Sequence, residues 1–378
     1  MDITPYLKLM VEKEASDLFM YVGAPVNIKI QGVLRAVGTR VLGPGGVKEI
    51  AYSIMNDGQI KEFEQEMELN FAIPLQGVGR FRANVFRQRG EVAMVVRYIK
   101  GDIPQVEELG LPSLLRTLVM EKRGLVLVVG STGSGKSTTL AAMIDHRNEN
   151  TSGHILTIED PIEFTHHHKK SVVGQREVGI DTHSYGNALK SALREAPDVI
   201  LIGEIRDQET MRYALSYAET GHLCLSTLHA NNANGALERI VNFFPEAVRP
   251  PLLMDLSLNL RAIISQRLIK GLNGGTRVPA VEILLNTPYV ADLIQKGKID
   301  SIKDAMAQAN DSGMQTFDQA LFRLYKEGRI SREEAIKNAD SRNNVGLQIR
   351  LSEGGSPAEK SSTDTLSIHE EEYKGMML

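Results

Sequence analysis

One glycine-rich stretch decides the fold of this chain: Gly130-Ser131-Thr132-Gly133-Ser134-Gly135-Lys136-Ser137. It matches the phosphate-loop pattern G-x-x-x-x-G-K-[ST] in full and follows the apolar, β-branched run 125–129, the strand–loop–helix setting that the pattern requires. Glycines let consecutive backbone N–H groups turn inward around phosphate, and the following helix N-terminus favours negative charge. The alternative is a chance glycine-rich turn, against which the flanking pattern argues. The stretch predicts binding of a nucleoside triphosphate.

Individual residues of the loop have distinct predicted roles. Lys136 can reach the β- and γ-phosphates, while the Ser137 hydroxyl is placed to ligate Mg²⁺. The predicted ligands are therefore ATP and Mg²⁺. The predicted nucleotide-binding residues are Ser131, Thr132, Gly133, Ser134, Gly135, Lys136, Ser137 and Thr138.

Length and composition describe an ordinary globular protein. The 378 residues allow two or three domains, with 42% hydrophobic and 24% charged residues. The net charge of −4 argues against a nucleic-acid partner, and the single cysteine, Cys224, excludes a disulfide framework or a four-cysteine zinc site. No window reaches the roughly 18 apolar residues that span a bilayer. We expect no transmembrane segment, and a cytoplasmic protein or one peripheral to the inner face of a membrane.

The pattern along the chain predicts two α/β regions. Residues 1–100 read as a small domain with helices near 5–16 and 47–66, strands at 17–22, 26–30 and 33–36, and a hairpin of 79–88 and 91–99 turning at Arg89-Gly90. Residues 101–111 read as a linker. From 112 to 351, strands at 125–129, 155–158, 199–202 and 223–228 alternate with helices, which predicts a mostly parallel sheet. Beyond Pro250 the chain reads as helical, with a short strand at 278–285, and residues 352–378 read as a disordered tail.

Three carboxylates fall within five positions at the end of the strand near 158: Glu159, Asp160 and Glu163. Pro161 disfavours a helix there, so these side chains belong to a loop at the carboxyl end of a strand, where open parallel sheets bind ligands. A carboxylate near the γ-phosphate can orient and deprotonate water, and Glu163 is the candidate general base. The alternative is a solvated acidic turn.

A second carboxylate, Glu204, ends the apolar strand 199–202. This is the form of a Walker B segment, with Glu where many families have Asp. Glu204 is predicted to hold Mg²⁺ through a water molecule.

Five histidines are candidates for a functional role. His222 and His229 flank the apolar strand 223–228, about 20 Å apart if the strand is continuous, so both cannot touch one phosphate. His229, on the carboxyl side, is the candidate γ-phosphate sensor, and His222 could lie at a subunit contact. Consecutive histidines cannot all converge on one metal ion, so His166-His167-His168 is interpreted as a solvated loop.

The predicted hairpin places two arginines opposite each other. A two-residue turn at Arg89-Gly90 pairs Gln88 with Glu91, and the same register pairs Arg82 with Arg97. Like charges directly opposite on a sheet repel, which is tolerable if an anion lies between them. We predict that both reach the γ-phosphate, either within one subunit or across a subunit boundary as arginine fingers. The alternative is two splayed, solvated arginines.

The motifs in this order resemble the secretion ATPases of type II and type IV systems, and within them the type IV pilus retraction ATPases of the PilT/PilU family. The resemblance covers about residues 1–350. It rests on A-S-D-L at 15–18, G-A-P at 23–25, G-R-F-R at 79–82, the phosphate loop through Thr138, I-E-D-P-I-E at 158–163, S-A-L-R at 191–194, G-E-I-R-D at 203–207 and E-T-G-H-L-C-L-S-T-L-H at 219–229.

This resemblance implies a PAS-like N-terminal α/β domain, a RecA-like ATPase domain and a homohexameric ring that binds ATP between the two domains. It implies catalytic roles for Glu163, Glu204, His229, Arg82 and Arg97. The implied activity drives pilus disassembly, with an inner-membrane pilus platform protein as partner.

Two departures refine the resemblance. The single cysteine excludes the zinc module that is usual in the assembly and secretion motors. The stretch 288–295 lacks both arginines of a motif found in autonomous retraction motors. This favours the accessory branch of the family, which would act with a partner retraction ATPase of the PilT type. A pilus assembly motor, or a nucleotide-binding ring subunit that mainly docks a partner motor, remains an alternative.

Overall fold

The computed structural model describes residues 2–30, 32–99, 101–272, 275–309 and 313–353. The chain divides into two compact units, one of residues 1–268 with 279–316 and one of residues 269–278 with 317–378. Within the described ranges, no helix is long and apolar enough to cross a membrane.

The N-terminal part of the first unit contains a six-stranded antiparallel sheet of order β3-β2-β1-β6-β5-β4. Its strands are β1 (Asp17–Met20), β2 (Pro25–Ile30), β3 (Val33–Val41), β4 (Glu68–Leu75), β5 (Gly79–Gln88) and β6 (Glu91–Ile99). Its helices are α1 (Thr4–Glu12), α2 (Gly46–Ser53) and α3 (Asp57–Glu66).

The predicted hairpin is confirmed together with its register. Gln88 lies opposite Glu91, and Arg82 lies opposite Arg97. Arg89 and Gly90 have φ angles of 52° and 79°, the positive values that a tight two-residue hairpin turn requires. Local turn chemistry therefore fixes the arginine pair on one face of the sheet.

Two predicted elements of this region differ most from the structure, and one strand was missed. The helix predicted over 47–66 is two helices, because the Asn56 side chain accepts from Gln59 N while the Gln59 side chain accepts from Asn56 N, which starts α3 afresh. Strand β3 continues to Val41, and strand β4 was not predicted.

The N-terminal sheet has its own hydrophobic core, which includes Phe81 and Met94, both fully buried. The Phe81 ring lies 5.3 Å from that of Tyr98. We expect Phe81→Ala to lower the free energy of unfolding by about 3–5 kcal/mol, because it removes buried surface and leaves a cavity. Urea denaturation followed by circular dichroism measures this. Val33→Ala, at a position 55% exposed, is the control and should change stability by less than about 0.5 kcal/mol. Equal effects of the two variants would contradict this core assignment.

The second sheet has the order β13-β12-β7-β11-β10-β8-β9, and the described pairs among β7 to β12 are parallel. Its strands are β7 (Gly124–Val129), β8 (Gly153–Glu159), β9 (Ser171–Glu177), β10 (Val199–Ile202), β11 (Leu223–Leu228), β12 (Leu260–Lys270) and β13 (Arg277–Leu285). The helices around it are α4 (Leu114–Val119), α5 (Lys136–Asn150), α6 (Tyr185–Ala192), α7 (Gln208–Glu219), α8 (Ala233–Asn242), α9 (Arg249–Asn259), α10 (Pro288–Gln295) and α11 (Ile302–Gln308).

Both faces of this sheet are covered, which explains its continuous apolar strands. Along β7, Leu125 and Leu127 join one hydrophobic cluster, whereas Val126 and Val128 join another. Parallel strands buried on both faces show this uninterrupted apolar pattern. The mixed α/β class with a mostly parallel second sheet is therefore confirmed.

Strands β9 and β12 were not predicted, and the helical pattern expected beyond Pro250 is wrong for Leu260–Lys270. Short apolar runs fit a helix or a strand equally well, and here parallel pairing of β12 with β7 decides. Helix α6 begins after Ser184, whose Oγ accepts from Asn187 N at 3.2 Å.

The described part of the second unit contains three helices, α12 (Phe317–Lys326), α13 (Arg332–Asn338) and α14 (Arg342–Ser352), which pack against one another. Helix α14 reaches Ser352, the first residue of the predicted tail. The rest of that tail, from 354 onward, lies outside the described residues.

Candidate active site

The phosphate loop connects β7 to α5, as the motif predicts. Gly130, Gly133 and Gly135 have φ angles of 156°, 76° and 91°. A Cβ atom at Gly130 would lie 2.4 Å from Ser134 Oγ and 2.6 Å from Gln266 O, so only glycine fits there. The loop can turn tightly enough to aim its N–H groups inward.

Lys136 is the first residue of α5, and its side chain lies back over the loop. It is 9% exposed, and Nζ donates to Gly130 O and Ser131 O, both at 3.0 Å. Burial lowers the pKa of Lys136, while the carboxylates of Glu204 and Glu163 act in the opposite direction. The ammonium group therefore lies in the field of both predicted catalytic acids.

The rest of the loop separates into exposed and buried residues. Ser131, Thr132 and Gly133 are exposed, Ser137 and Thr138 are half-buried, and Ser134 is buried. Ser131 and Thr132 line a pocket of about 730 Å³ that also includes His229 and the start of α8. The open side of the loop is thus available to a ligand.

Gln266 supports the loop from β12, a role that sequence reasoning missed. Its side-chain oxygen accepts from Thr139 Oγ1 at 2.7 Å, and its backbone oxygen lies against Gly130. No sequence signal indicated this contact, because the segment that forms β12 was expected to be helical and was not placed next to β7.

Glu204 lies just beyond the carboxyl end of β10, where the Walker B prediction placed it. Its Oε2 accepts from Arg206 Nε at 2.7 Å, and its Oε1 lies 3.2 Å from His229 Nε2. Burial and the charge of Lys136 lower the pKa of His229, while Glu204 raises it. The structure therefore brings His229 to the Walker B acid, and Arg206 was missed as its second partner.

His222 lies at the other end of β11, which is continuous. Its Nδ1 lies 3.1 Å from Thr220 Oγ1, and its ring packs edge-on to Tyr217 at 6.5 Å. The two histidines of this segment consequently do not meet.

Glu163 is exposed on the loop that follows β8. It lines a pocket of about 300 Å³ together with Thr138 of α5 and the two opposed hairpin arginines, Arg82 and Arg97. Four residues singled out from separate parts of the sequence therefore share one cavity beside the phosphate loop.

The two arginines have different carboxylate partners. Arg82 Nε lies 3.8 Å from Glu177 Oε1, and Arg97 Nε donates to Asp17 Oδ1 at 2.9 Å. The alternative of solvated arginines fits Arg97, whose side chain is 66% exposed, better than Arg82, at 24%. Neither acid was predicted as a partner, because Asp17 and Glu177 are far from the hairpin in sequence.

Glu159, at the end of β8, is a different kind of carboxyl group. Burial raises its pKa to about 7, against hydrogen bonds from Thr157 Oγ1 at 2.7 Å and Gln175 Nε2 at 3.3 Å. It is therefore largely uncharged just below neutral pH.

This raised pKa predicts a pH dependence of stability. Between pH 4.5, the ordinary value, and about 7, folded Glu159 binds a proton that the unfolded chain has lost, so stability falls as the pH rises. The loss is at most about 3 kcal/mol, and Glu159→Gln should remove it. Urea denaturation of both proteins at pH 5 and pH 8 measures the difference. An unchanged pH difference in the variant would contradict this.

The three consecutive histidines do not form a metal site, but the interpretation as a solvated loop was wrong for one of them. His166 is 7% exposed, and burial lowers its pKa to about 4. His168 Nδ1 accepts from Val173 N, and His167 O accepts from Asn148 Nδ2. Within the described ranges, no group of three or more His, Cys, Asp and Glu side chains could hold a metal ion.

Comparison with known proteins decides the family. Residues 2–335 match the family model described as Type II/IV secretion system protein. The chain belongs to this family. The matched range includes the phosphate loop, Glu204 and both histidines that flank β11.

Individual relatives narrow the likeness within the secretion ATPases. The chain is 51% identical to the type IV pilus ATPase PilU of Pseudomonas aeruginosa, over 97% of each chain. It is 45% identical to the type IV pilus retraction ATPase PilT of the same organism, over 90% of this chain and 98% of PilT. The crystal structure of the pilus retraction motor PilT with bound ADP superposes with a TM-score of 0.84, at 43% identity, covering 91% of this chain and 98% of that one. The chain is a member of the PilT/PilU group of secretion ATPases.

The stretch 288–295, which lacks the two arginines expected of an autonomous retraction motor, forms helix α10. Val290, Leu293 and Ile294 are its buried residues.

Proposed function

We propose that this protein is an ATP-hydrolysing motor that powers or assists type IV pilus retraction. The observation that carries the proposal is the cavity in which Glu163 and Thr138 meet Arg82 and Arg97, beside a buried Lys136. Retraction is supported by two relatives similar over nearly the whole chain, the type IV pilus ATPase PilU and the retraction ATPase PilT.

The proposed chemistry assigns each residue a role. The loop 131–138 binds the phosphates through its N–H groups, and Lys136 leaves its two carbonyl partners to reach the β- and γ-phosphates. Glu163, exposed in the cavity, takes the proton of the attacking water. Arg82 and Arg97 offset the negative charge of the transferred phosphoryl group.

Mg²⁺ fits the donors at this site. The Ser137 hydroxyl and the Glu204 carboxylate are hard oxygen ligands, and Mg²⁺ sites in such enzymes use few protein ligands because phosphates and waters supply the others. When bound, Mg²⁺ neutralises phosphate charge. Arg206 and His229 orient the Glu204 carboxylate for this role.

We further propose the domain division 1–100, 101–111 and 112–351, with a tail from 352 to 378. A separate hydrophobic core in the N-terminal region supports the first boundary. The motor would act as a homohexamer at the cytoplasmic face of the inner membrane, contacting the pilus platform protein and a partner ATPase of the PilT type. The 51% identity to PilU favours this accessory role.

Surface pilus number and twitching motility in cells carrying Lys136→Ala test the function. Abundant pili with lost or weakened motility are expected, because extension continues while retraction fails. Lys169→Ala is the matched control, since Lys169 pairs with Asp145 and Glu149 away from the loop. Bald cells would mean that the protein assembles pili, and the proposed direction would be wrong.

A further inference from the structure

Glu177, the last residue of β9, is a buried carboxylate at the border of the candidate site. It is 1% exposed, and its Oε2 accepts from Ile162 N at 3.4 Å, the residue before Glu163. Its Oε1 has no hydrogen-bond partner, and the nearest cation is Arg82, with Nε at 3.8 Å. Such a buried oxygen depends on the charge of Arg82 for its stability.

Arg82 also faces the cavity that Glu163 and Thr138 line. Thr138 lies in the first turn of α5, next to the phosphate-binding residues. One guanidinium group can therefore meet either of two anions, the fixed carboxylate of Glu177 or a phosphate group that would bind at the loop.

We propose that Glu177 is a positioning residue that sets the preference for ATP over ADP by competing with the terminal phosphate for Arg82. The inference rests on the proposed function, because it takes the ligand to be an adenine nucleotide. In the absence of a terminal phosphate, Arg82 pairs with Glu177. A γ-phosphate, with more charge and more acceptor oxygens than a carboxylate, draws Arg82 into the cavity, whereas ADP does not extend far enough to do so.

The electrostatics of Glu177 agree with such an exchange. Burial raises the pKa of Glu177, while Arg82 and Arg80 lower it. Loss of Arg82 to a phosphate therefore favours the protonated carboxyl group, which leaves no unpaired buried charge behind. Because Ile162 N donates to the same carboxylate, the exchange acts directly beside Glu163.

Equilibrium binding of a non-hydrolysable ATP analogue and of ADP, both with Mg²⁺, to the full chain tests this. Glu177→Gln retains an acceptor for Ile162 N and removes the charge that competes for Arg82. We expect the ATP analogue to bind about tenfold more tightly and ADP to change less than about twofold. Failure of the wild-type protein to bind either nucleotide would contradict the proposed function. An unchanged affinity for the ATP analogue in Glu177→Gln would contradict only the role of Glu177.

A control variant and two further variants test whether the effect of Glu177→Gln depends on Arg82. Glu195→Gln is the control. It removes the exposed carboxylate partner of Arg176, the neighbour of Glu177 on β9, and should change the affinity for neither nucleotide. In an Arg82→Gln background, Glu177→Gln should have no effect. If Glu177→Gln does not fold, Glu177→Asp, whose carboxylate is farther from Arg82, should tighten the ATP analogue in the same direction by less. Weaker or unchanged binding of the analogue, equal tightening of ADP, or persistence of the effect without Arg82 would overturn the proposal.

Discussion

Lys136→Ala is expected to lower kcat/KM for ATP hydrolysis by about 100-fold or more. Lys136 is 9% exposed and lies in the field of Glu204 and Glu163, so alanine removes a buried positive charge from the site. Its loss also removes the side-chain donor to Gly130 O and leaves Ser131 O with Ser134 N as its donor, which loosens the loop that binds phosphate. Steady-state phosphate release at varied ATP, with Mg²⁺, measures the effect.

Lys169→Ala, the surface lysine that pairs with Asp145 and Glu149, should retain wild-type turnover and thus exclude a general charge effect. Circular dichroism of both variants checks that the fold is intact. Wild-type hydrolysis by a folded Lys136→Ala protein would remove the phosphate loop from the proposed mechanism.

Glu163→Gln is expected to lower kcat by about 10²- to 10⁴-fold while the affinity for ATP is kept. The amide has the shape of the carboxylate but cannot accept the proton of water. Removal of a negative charge from a cavity that receives phosphate should, if anything, strengthen nucleotide binding. Single-turnover hydrolysis together with equilibrium binding separates the two quantities. The same measurement distinguishes a motor from a ring subunit that only docks a partner, since the latter has little turnover to lose.

The neighbouring acids provide matched controls for this prediction. Asp160 pairs with Arg206 at 3.6 Å. Glu159 accepts hydrogen bonds from Thr157 Oγ1 and Gln175 Nε2, whereas Glu163 lines the cavity. Asp160→Asn and Glu159→Gln should therefore retain most of the turnover. If Glu159→Gln abolished hydrolysis while Glu163→Gln did not, the general base would have been assigned to the wrong carboxylate.

Short-range chemistry explains which elements could be predicted from sequence. The Arg89-Gly90 turn alone sets the register that places Arg82 opposite Arg97, because a two-residue loop allows one pairing. The capping box of Asn56 and Gln59 is equally local and could have been predicted. The apolar spacing over residues 47–66 indicated one continuous helix instead. Strand β12 had no local signal to separate it from a helix.

The amino-acid sequence by itself was enough to predict the phosphate loop and the parallel strands that precede Glu163 and Glu204. It was also enough to predict the family, since all of these depend on residue types at fixed spacing. Only the tertiary structure decided the partners of these residues. Gln266 reaches the loop because β12 pairs with β7, and Glu177 reaches Arg82 because β9 ends beside the N-terminal hairpin. Burial, which raises the pKa of Glu159 and isolates Glu177, likewise arises from contacts between distant segments. Spacing along the chain determines local geometry, whereas the pKa of a buried side chain depends on which distant segments pack over it and exclude water.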